Sequence, residues 1–230
     1  MRDRHVVVLS GAGISAESGL GVFRGSGGLW EGMQISQVAT PEGWRRDPGQ
    51  VLRFYNKRRR SIQASKPNAA HLALKELESL FKVTIITQNI DDLHERAGSS
   101  EVIHLHGEIL KARSSRNEKL LRDCTTDIEL GDRCEEGSQL RPHVVWFGEA
   151  VPLMERAIEV AKSADFFIVV GTSLEVYPAA SLVDHVPFES TKFVVDPNPS
   201  GLADETFHVV QTIASEGVPR IVSQLRAMMA

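Results

Sequence analysis

The stretch HVVVLSGAGISAESG, residues 5–19, decides the fold class of this chain. A run of Val and Leu leads directly into Gly11, Gly13 and Ala16, which have the G-x-G-x-x-G/A spacing of a strand that opens into a helix. Glycines at these places let the backbone approach a pyrophosphate, whose charge is favoured by free N–H groups at a helix N-terminus. The same spacing also suits a tight strand–helix turn that needs small residues, so the pattern by itself favours the two interpretations equally.

The rest of the chain continues this alternation of strands and helices. Further short apolar runs have the length of strands: KVTIIT from Lys82, EVIHLH from Glu101, DFFIVVG from Asp165, KFVVD from Lys192 and FHVVQ from Phe207. Between them, AAHLALKELESLF, LMERAIEVAKSA and VPRIVSQLRAMM carry apolar residues at three- and four-residue spacing, which predicts helices. Continuous apolar strands suit a parallel sheet that is buried on both faces. The pattern therefore predicts an α/β fold with a Rossmann-like parallel sheet.

Two segments interrupt the alternation. Residues 25–66 are rich in Gly and Arg, with a helix expected from Pro48, and residues 111–141 are polar and rich in turn formers. We interpret both as insertions that form a smaller lobe beside the sheet. The remaining segments, 1–24, 67–110 and 142–230, then make up one discontinuous Rossmann-like domain.

Composition and charge narrow the class of protein. With 26 Lys and Arg against 30 Asp and Glu, the net charge is -4, which disfavours general binding to nucleic acid because that binding depends on cations at the phosphates. The first apolar run is too short for a signal peptide or a membrane span. The cysteines are Cys124 and Cys134 alone. We therefore expect a cytoplasmic protein with reduced thiols and no membrane or nucleic-acid partner.

Polar motifs lie at or beyond the ends of the predicted strands, where α/β folds bind ligands. Taken singly, each also has a structural interpretation: Asn89 and Asp91 suit caps of the following helix, and a lone His106 is more often a hydrogen-bonded core residue. Together with the glycine loop, their recurrence favours a functional site. These motifs are TQNIDDLH at 87–94, HLHGE at 104–108, RPHVVWFGE at 141–149 and GTSLEVYPAA at 171–180.

The order of the motifs resembles that of a known family. GAGIS, FR, TQNID, LHGE, PHVVWFGE, GTS, VYPAA and ASEGVP follow one another as they do in the sirtuins, which are NAD-dependent protein lysine deacylases. The resemblance runs from about His5 to the C-terminal helix. ATPEGW and FYNKRRR make the chain most similar to bacterial members of the class III branch.

The resemblance implies that NAD lies in the cleft between the two lobes. The phosphates would lie against the glycine loop and Ser173, and the nicotinamide carboxamide against Ile90 and Asp91. Which residue of 196–198 contacts the adenosine ribose stays open. The implied cofactor residues are Gly11, Ala12, Gly13, Ser15, Glu17, Phe23, Arg24, Trp30, Gln88, Asn89, Ile90, Asp91, Gly171, Thr172, Ser173, Asp196, Pro197, Asn198 and Ala214.

The resemblance also implies catalytic roles for His106, Asn89 and Asp91. His106 would act as general base on the ribose hydroxyls, which suits an imidazole because its ordinary pKa lies near working pH. The products would be free lysine, nicotinamide and O-acyl-ADP-ribose. The substrate backbone would add as a strand between VVWFGE and SLEVY. The substrate-binding residues on these strands would be Val144, Val145, Trp146, Phe147, Gly148 and Val176.

FYNKRRR, residues 54–60, bears on which acyl group is removed. Tyr55 and Arg58 lie three residues apart and share one face of the predicted helix. In the class III branch a Tyr-x-x-Arg pair at this place recognises the carboxylate of malonyl- or succinyl-lysine, and a planar, permanently charged guanidinium suits that task. We expect a preference for acidic acyl groups, with acetyl also accepted. Lys57, Arg59 and Arg60 are expected to face solvent.

The chain departs from the family in its cysteines. Most sirtuins hold a structural zinc with two C-x-x-C pairs in the small lobe. Here the first pair is replaced by Ser114 and Asn117, and the second keeps only Cys134, followed by Gly137 and Ser138. We therefore predict that no metal is bound and that the insertion at 111–141 is a degenerate zinc module held by packing.

Two alternatives remain at this stage. The same NAD pocket would also serve mono-ADP-ribosyl transfer to protein. A non-catalytic sensor of NAD or ADP-ribose is disfavoured because His106, Asn89 and Asp91 are all present. The expected partners are acylated lysine side chains of proteins. The sequence does not give the oligomeric state, for which a monomer is the expectation.

Overall fold

A computed structural model describes residues 4–22, 29–30, 32–199 and 206–228. Its strands are β1 His5–Ser10, β2 Leu29–Trp30, β3 Met33–Gln34, β4 Lys82–Thr87, β5 Val102–His104, β6 Gly107–Ser114, β7 Leu121–Asp123, β8 Leu140–Val144, β9 Phe166–Val170, β10 Thr191–Val195 and β11 Phe207–Val210. Its α-helices are α1 Ile35–Val38, α2 Pro41–Arg46, α3 Pro48–Ala64, α4 Ala69–Leu77, α5 Leu93–Arg96, α6 Met154–Ala161 and α7 Ala214–Ala227. Two 3₁₀ helices span Ala12–Ser18 and Ala179–His185.

A six-stranded sheet in the order β11-β10-β9-β1-β4-β5 forms the centre of the molecule. Every neighbouring pair in this sheet is parallel. All of the strands predicted from apolar runs are present in it, so the predicted α/β fold with a parallel sheet is confirmed. The order places β1 between β9 and β4, and the segments that follow these strands meet at one edge.

Helices cover both faces of the sheet, which explains why its central strands carry apolar residues on both faces. Val6 and Val8 of β1 pack into one buried cluster together with residues of α4 and α7. Val7 and Leu9 point the other way, into a cluster that includes residues of α6. Each of these four side chains is fully buried, and full burial of one such side chain contributes about 1.5–3 kcal/mol.

The helix α3 packs against α1, α2, β6 and β8. At the N-terminus of α3, the Asp47 side chain accepts a hydrogen bond from the Gln50 amide. Pro48 lies in the first turn of the helix, where proline is favourable. Residues on α3 belong to two separate apolar clusters: Phe54 packs in one and Leu52 in the other. The buried surface of α3 is therefore wider than the single apolar face of an ordinary amphipathic helix.

This wide burial overturns one expectation for the basic run. Lys57 and Arg60 are exposed as expected, but Arg59 is fully buried. Its Nε donates to the Ile109 carbonyl at 3.0 Å and its Nη1 to Asn56 Oδ1 at 2.7 Å. The prediction that Arg59 faces solvent is wrong, because the sheet of the small lobe covers that side of α3.

A three-stranded antiparallel sheet, in the order β7-β6-β8, packs beside α3. We propose that this sheet, with α3 and its neighbours, is the smaller lobe. β6 begins before the predicted boundary at residue 111, and β8 ends after the predicted boundary at residue 141. We propose that the boundaries of the second insertion lie at the ends of these strands. No helix in the described part of the chain is both long and apolar enough to cross a membrane.

Candidate active site

The glycine loop packs backbone to backbone against the loop that follows β9. Gly11 N donates to the Val170 carbonyl at 3.0 Å, and Gly13 N donates to the Gly171 carbonyl at 2.8 Å. A Cβ on Gly13 would lie 2.6 Å from Gly171 Cα, and Gly171 has a φ of 62°, so both positions require glycine. These two amides are engaged within the protein, which means that the glycines shape the site without offering free N–H groups of their own.

A cavity of about 690 Å³ lies where β1, β4, β9 and β10 end. Most of the residues predicted for the cofactor line it. They are Gly11, Ala12, Gly13, Ser15, Glu17, Trp30, Gln88, Asn89, Ile90, Asp91, Gly171, Thr172, Ser173, Asp196, Pro197, Asn198 and Ala214. Phe23 and Arg24 lie outside the described residues.

Most of the residues predicted for catalysis and substrate binding line the same cavity. These are His106, Tyr55, Arg58, Val144, Val145, Phe147 and Val176. Trp146 and Gly148 do not belong to the lining. Ala16 of the glycine-loop spacing also lines the cavity. Other small or apolar lining residues carry no chemical pattern of their own and were not predicted: Leu20, Gly21, Val22, Ala39, Val195 and Ile213. Glu175, which directly follows the GTSL segment, was not predicted either.

His106 is held in one tautomer. Its Nδ1 lies 3.0 Å from the Gln88 carbonyl oxygen, which can only accept, so in the neutral ring Nδ1 carries the hydrogen and Nε2 has a free lone pair. Burial lowers the pKa of His106 and outweighs the opposing effect of the Gln88 carbonyl. The ring is therefore neutral near pH 7 and is able to accept a proton.

Asn89, Ser15 and Asp91 form a hydrogen-bonded chain between the segment after β4 and the glycine loop. Asn89 Nδ2 donates to Ser15 Oγ at 3.2 Å, and Ser15 Oγ donates to Asp91 Oδ2 at 3.1 Å. Burial raises the pKa of Asp91, although the Leu93 amide and Ser15 oppose this. Asp91 thus offers the cavity a carboxyl group that is fixed in place, with its other oxygen accepting from Leu93 N at 3.2 Å.

His104 stabilises the segment after β4 through two hydrogen bonds. Its Nδ1 donates to the Asn89 carbonyl at 3.1 Å and its Nε2 donates to Glu95 Oε1 at 2.7 Å. Burial by itself would lower the pKa of His104, but the hydrogen bond and charge of Glu95 prevail and raise it. The spacing of His104 in the sequence does not predict this contact with Asn89, which lies 15 residues earlier in the chain.

The far end of the cavity is bordered by turns after β10. Asp196 Oδ1 accepts from Asn198 N at 2.8 Å, so this carboxylate holds its own turn and keeps its second oxygen for other donors. Glu17 Oε2 accepts from Ser215 N at 3.0 Å and thereby fixes the first turn of α7 beside Ala214.

The opposite end of the cavity carries aromatic and basic side chains of the small lobe. Tyr55 is fully buried, and Arg58 is 6% exposed. The Arg58 guanidinium carbon lies 4.5 Å from the Trp30 ring centroid, and the Tyr55 hydroxyl accepts from Trp146 Nε1 at 3.1 Å. The expectation that Tyr55 and Arg58 share a helix face is met, since both line the cavity.

A cluster of charged groups anchors the segment after β8. Glu149 Oε1 accepts from Arg141 Nη1 at 2.6 Å, and Glu149 Oε2 accepts from Arg113 Nη2 at 3.1 Å and from Trp146 N at 2.8 Å. Burial would raise the pKa of Glu149, but the hydrogen bond and charge of Arg141 outweigh it and lower the pKa. The carboxylate is therefore charged and fixes the backbone that leads along the cavity.

The positions that replace the cysteine pairs still form two facing turns. Ser114 Oγ accepts from Arg116 N and Asn117 N, both at 3.2 Å, and Cys134 N donates to the Ser138 carbonyl at 2.8 Å. A hydrogen bond with the Ser114 side chain lowers the pKa of the Cys134 thiol. Throughout the described ranges, no group of three or more His, Cys, Asp or Glu side chains could hold a metal ion.

The fold and the site together define a class of protein. A parallel sheet with a polar cavity at its carboxyl edge, a glycine loop and a neutral histidine base are typical of α/β enzymes that bind a dinucleotide. The family model for the Sir2 family matches residues 11–178. The chain belongs to the Sir2 family, and the resemblance found in its motifs is confirmed.

Similar proteins of known name cover nearly the whole chain. A Bacteroides thetaiotaomicron protein named NAD-dependent protein deacylase is 49% identical over 95% of this chain and 96% of its own length. A Helicobacter pylori protein of the same name is 54% identical over 84% of this chain and 85% of its own. Among solved structures, a Sir2 homologue–NAD complex has a TM-score of 0.89 at 36% identity, covering 100% of this chain and 92% of its own. A complex of Sir2 with a p53 peptide and NAD has a TM-score of 0.79 at 31% identity, and the match covers 98% of this chain and 95% of the other.

Proposed function

We propose that this chain is an NAD-dependent protein lysine deacylase whose pocket prefers acyl groups that end in a carboxylate. The curated relatives are named NAD-dependent protein deacylases, and solved relatives contain NAD or ADP-ribose, so the predicted enzyme class and cofactor are confirmed. The acyl preference is the finer proposal. It rests on the buried Arg58 beside the Tyr55 hydroxyl in the wall of the cavity.

The residues of the cavity fit NAD. Residues 11–13 line the cavity and carry no side chain longer than a methyl group, which leaves room for a pyrophosphate, and the fixed carboxyl of Asp91 offers a partner for the nicotinamide amide. At the other end, we propose that the second oxygen of Asp196 accepts from a ribose hydroxyl, which its hydrogen bond from Asn198 N through the first oxygen supports. Bound NAD supplies an electrophilic ribose carbon and nicotinamide as the leaving group.

The residues of the chain then carry out proton transfer and positioning. His106 Nε2 takes a proton from a ribose hydroxyl, because the Gln88 carbonyl holds the hydrogen of the neutral ring on Nδ1. The chain of Asn89, Ser15 and Asp91 keeps its polar groups oriented before any ligand arrives, which lowers the cost of ordering them.

The acyl pocket is built for a negative charge. A guanidinium that is 6% exposed has lost most of its hydration, so a substrate carboxylate gains more from it than it would at the surface. Burial also raises the pKa of Tyr55 above its usual range, so the hydroxyl keeps its proton and can donate. Succinyl and malonyl groups fit this pair, and acetyl is accepted because it needs only the apolar part of the pocket.

The acylated peptide lies along the segment after β8. Val145 N donates to the His106 carbonyl at 2.9 Å and Phe147 N donates to the Ala39 carbonyl at 2.9 Å, so this segment has a fixed backbone against which a strand can add. Main-chain recognition of this kind tolerates many sequences. The acyl pocket therefore supplies most of the selectivity.

A panel of acyl-lysine peptides with NAD tests the proposal. We expect Arg58→Met to lower the ratio of desuccinylase to deacetylase efficiency about tenfold or more, as for the loss of a charged hydrogen-bond pair. His106→Tyr should remove both activities. Lys57→Met, at an exposed cation one residue earlier, is the matched control and should leave the ratio unchanged.

Two results contradict the proposal. If Arg58→Met left the ratio of desuccinylase to deacetylase efficiency unchanged, the Arg58 guanidinium would have no role in acyl selection. Formation of ADP-ribosylated protein without O-acyl-ADP-ribose, measured in the same reactions, would favour ADP-ribosyl transfer to protein over deacylation.

We further propose that the small lobe contains no structural zinc. Cys134 is the sole thiol at the replaced positions, and a hydroxyl or an amide is a poor zinc ligand. The Ser114 hydroxyl already accepts hydrogen bonds from the Arg116 and Asn117 amides. Elemental analysis of the purified protein should find zinc well below one equivalent, and a stoichiometric, chelator-resistant ion would contradict this.

A further inference from the structure

Trp146 contacts the acyl pocket from outside the cavity. The residue is 2% exposed and does not line the cavity, yet its Nε1–H donates to the Tyr55 hydroxyl at 3.1 Å. An indole nitrogen can only donate, so the Tyr55 oxygen must accept. Within the described part of the chain, Trp146 is the only hydrogen-bond partner of this hydroxyl. The hydroxyl therefore keeps its own hydrogen for another acceptor.

The Tyr55 ring itself has little freedom. Phe54 and Trp30 pack edge-on against it, with ring centroids at 5.1 and 6.1 Å. The rotation of the O–H bond is then the main freedom that remains. The indole N–H occupies one side of the oxygen, which turns the hydroxyl hydrogen away from Trp146. Tyr55 lines the cavity next to Arg58, so the cavity is where an acceptor can meet this hydrogen.

Trp146 is well fixed in turn. Its backbone N–H donates to Glu149 Oε2 at 2.8 Å, and the Arg141 guanidinium lies over its ring, 3.2 Å from the centroid. The ring of Trp44 packs beside it at 5.7 Å. A donor held by both its backbone and its ring costs little entropy to position.

We propose that Trp146 is a positioning residue for acyl selectivity. It fixes the Tyr55 hydroxyl as a donor, so that a substrate carboxylate receives an O–H hydrogen bond from Tyr55 beside the charge of Arg58. The inference rests on the proposed preference for acidic acyl groups. It adds a residue that selects among substrates without touching them through its side chain.

The test removes the indole N–H and keeps the bulk. In Trp146→Phe, we expect the ratio of desuccinylase to deacetylase efficiency to fall about threefold to tenfold, the effect of one hydrogen bond. The change should appear in KM for the succinyl peptide more than in kcat. Replacing Trp146 with benzothienylalanine, which has sulfur in place of N–H, should give the same ratio even if the Phe variant folds poorly. Phe81→Leu, at a buried aromatic residue of a different cluster that does not line the cavity, is the control and should leave the ratio unchanged.

A double variant separates positioning from a general loss of structure. If Trp146 acts through the Tyr55 hydroxyl, Trp146→Phe should change the ratio no further in a Tyr55→Phe background. Additive effects, or a ratio within twofold of wild type in the benzothienylalanine protein, overturn the inference. If Arg58→Met lowers the ratio and the changes at Trp146 do not, this inference alone fails. If the wild type does not remove succinyl groups, the proposed function fails and the inference fails with it.

Discussion

Replacing Glu149 with alanine should destabilise the protein more than any change at a surface ion pair. The carboxylate accepts from two guanidinium groups, those of Arg141 and Arg113, and from the backbone N–H of Trp146. The side chains of both arginines are 7% exposed, and that of Glu149 is 21% exposed. Removing the acid therefore leaves two poorly hydrated positive charges close to one another, and the remaining acidic partner of Arg113 is the exposed Glu118 at 3.4 Å.

The magnitude follows from that burial. Breaking a buried pair by removing one partner costs about 3–5 kcal/mol, because the remaining charge has no compensation. A typical domain is stable by about 5–15 kcal/mol, so Glu149→Ala should remove a large share of the total. Glu149→Gln retains one acceptor oxygen of the same shape, and we expect it to lose less.

Urea unfolding of the purified variants measures the effect through the midpoint at constant m-value. Glu159→Ala is the control, since Glu159 pairs with Lys162 at 2.8 Å on the surface and such pairs contribute about 0.2–1 kcal/mol. If Glu149→Ala lost no more free energy of unfolding than Glu159→Ala, the claim that this cluster anchors the segment after β8 would be refuted.

Three further predictions concern pH and the small lobe. Burial lowers the pKa of His71 to about 4, below the value of about 6.5 that a histidine has in the unfolded chain. The folded protein therefore keeps the His71 ring neutral. This contribution to the free energy of unfolding is complete above pH 6.5 and is lost as the pH falls toward 4. Thermal unfolding at pH 7 and 5 should show a smaller loss for His71→Gln than for wild type, with exposed His208→Gln as the control. For His106, the lowered pKa predicts that the deacylation efficiency falls only when the pH drops below the ordinary pKa of a histidine, 6.5. A pH profile of the efficiency with its midpoint above 6.5 would contradict this. Ser114→Ala frees two backbone N–H groups and should cost about 1 kcal/mol in urea unfolding, while Ser115→Ala at the exposed neighbour should cost almost nothing.

The sequence predicts the fold correctly where the burial of a residue can be inferred from the residues next to it in the chain. The strands of the large sheet are continuous apolar runs because helices cover both of its faces, and this pattern needs no knowledge of distant residues. The shared face of Tyr55 and Arg58 follows likewise from helical spacing. These features depend on neighbours only three or four residues away.

The features that the sequence left out all depend on distant packing. Arg59 is buried because a sheet some fifty residues further along the chain covers α3, and its partner Ile109 has no local link to it. The contact of Trp146 with Tyr55 joins residues 91 positions apart. The glycine pattern was ambiguous for the same reason, because the requirement for glycine at position 13 comes from Gly171, in the loop after β9.

The contact between Gly13 and Gly171 has a consequence for the growing chain on the ribosome. The glycine loop is synthesised first, but the backbone oxygens that receive its amides belong to Val170 and Gly171. A nascent chain that ends before β9 has emerged therefore contains the complete loop without the surface that shapes it. Binding of a dinucleotide should accordingly begin only after residue 171 of the 230 has emerged, which makes it a late event in the maturation of each molecule.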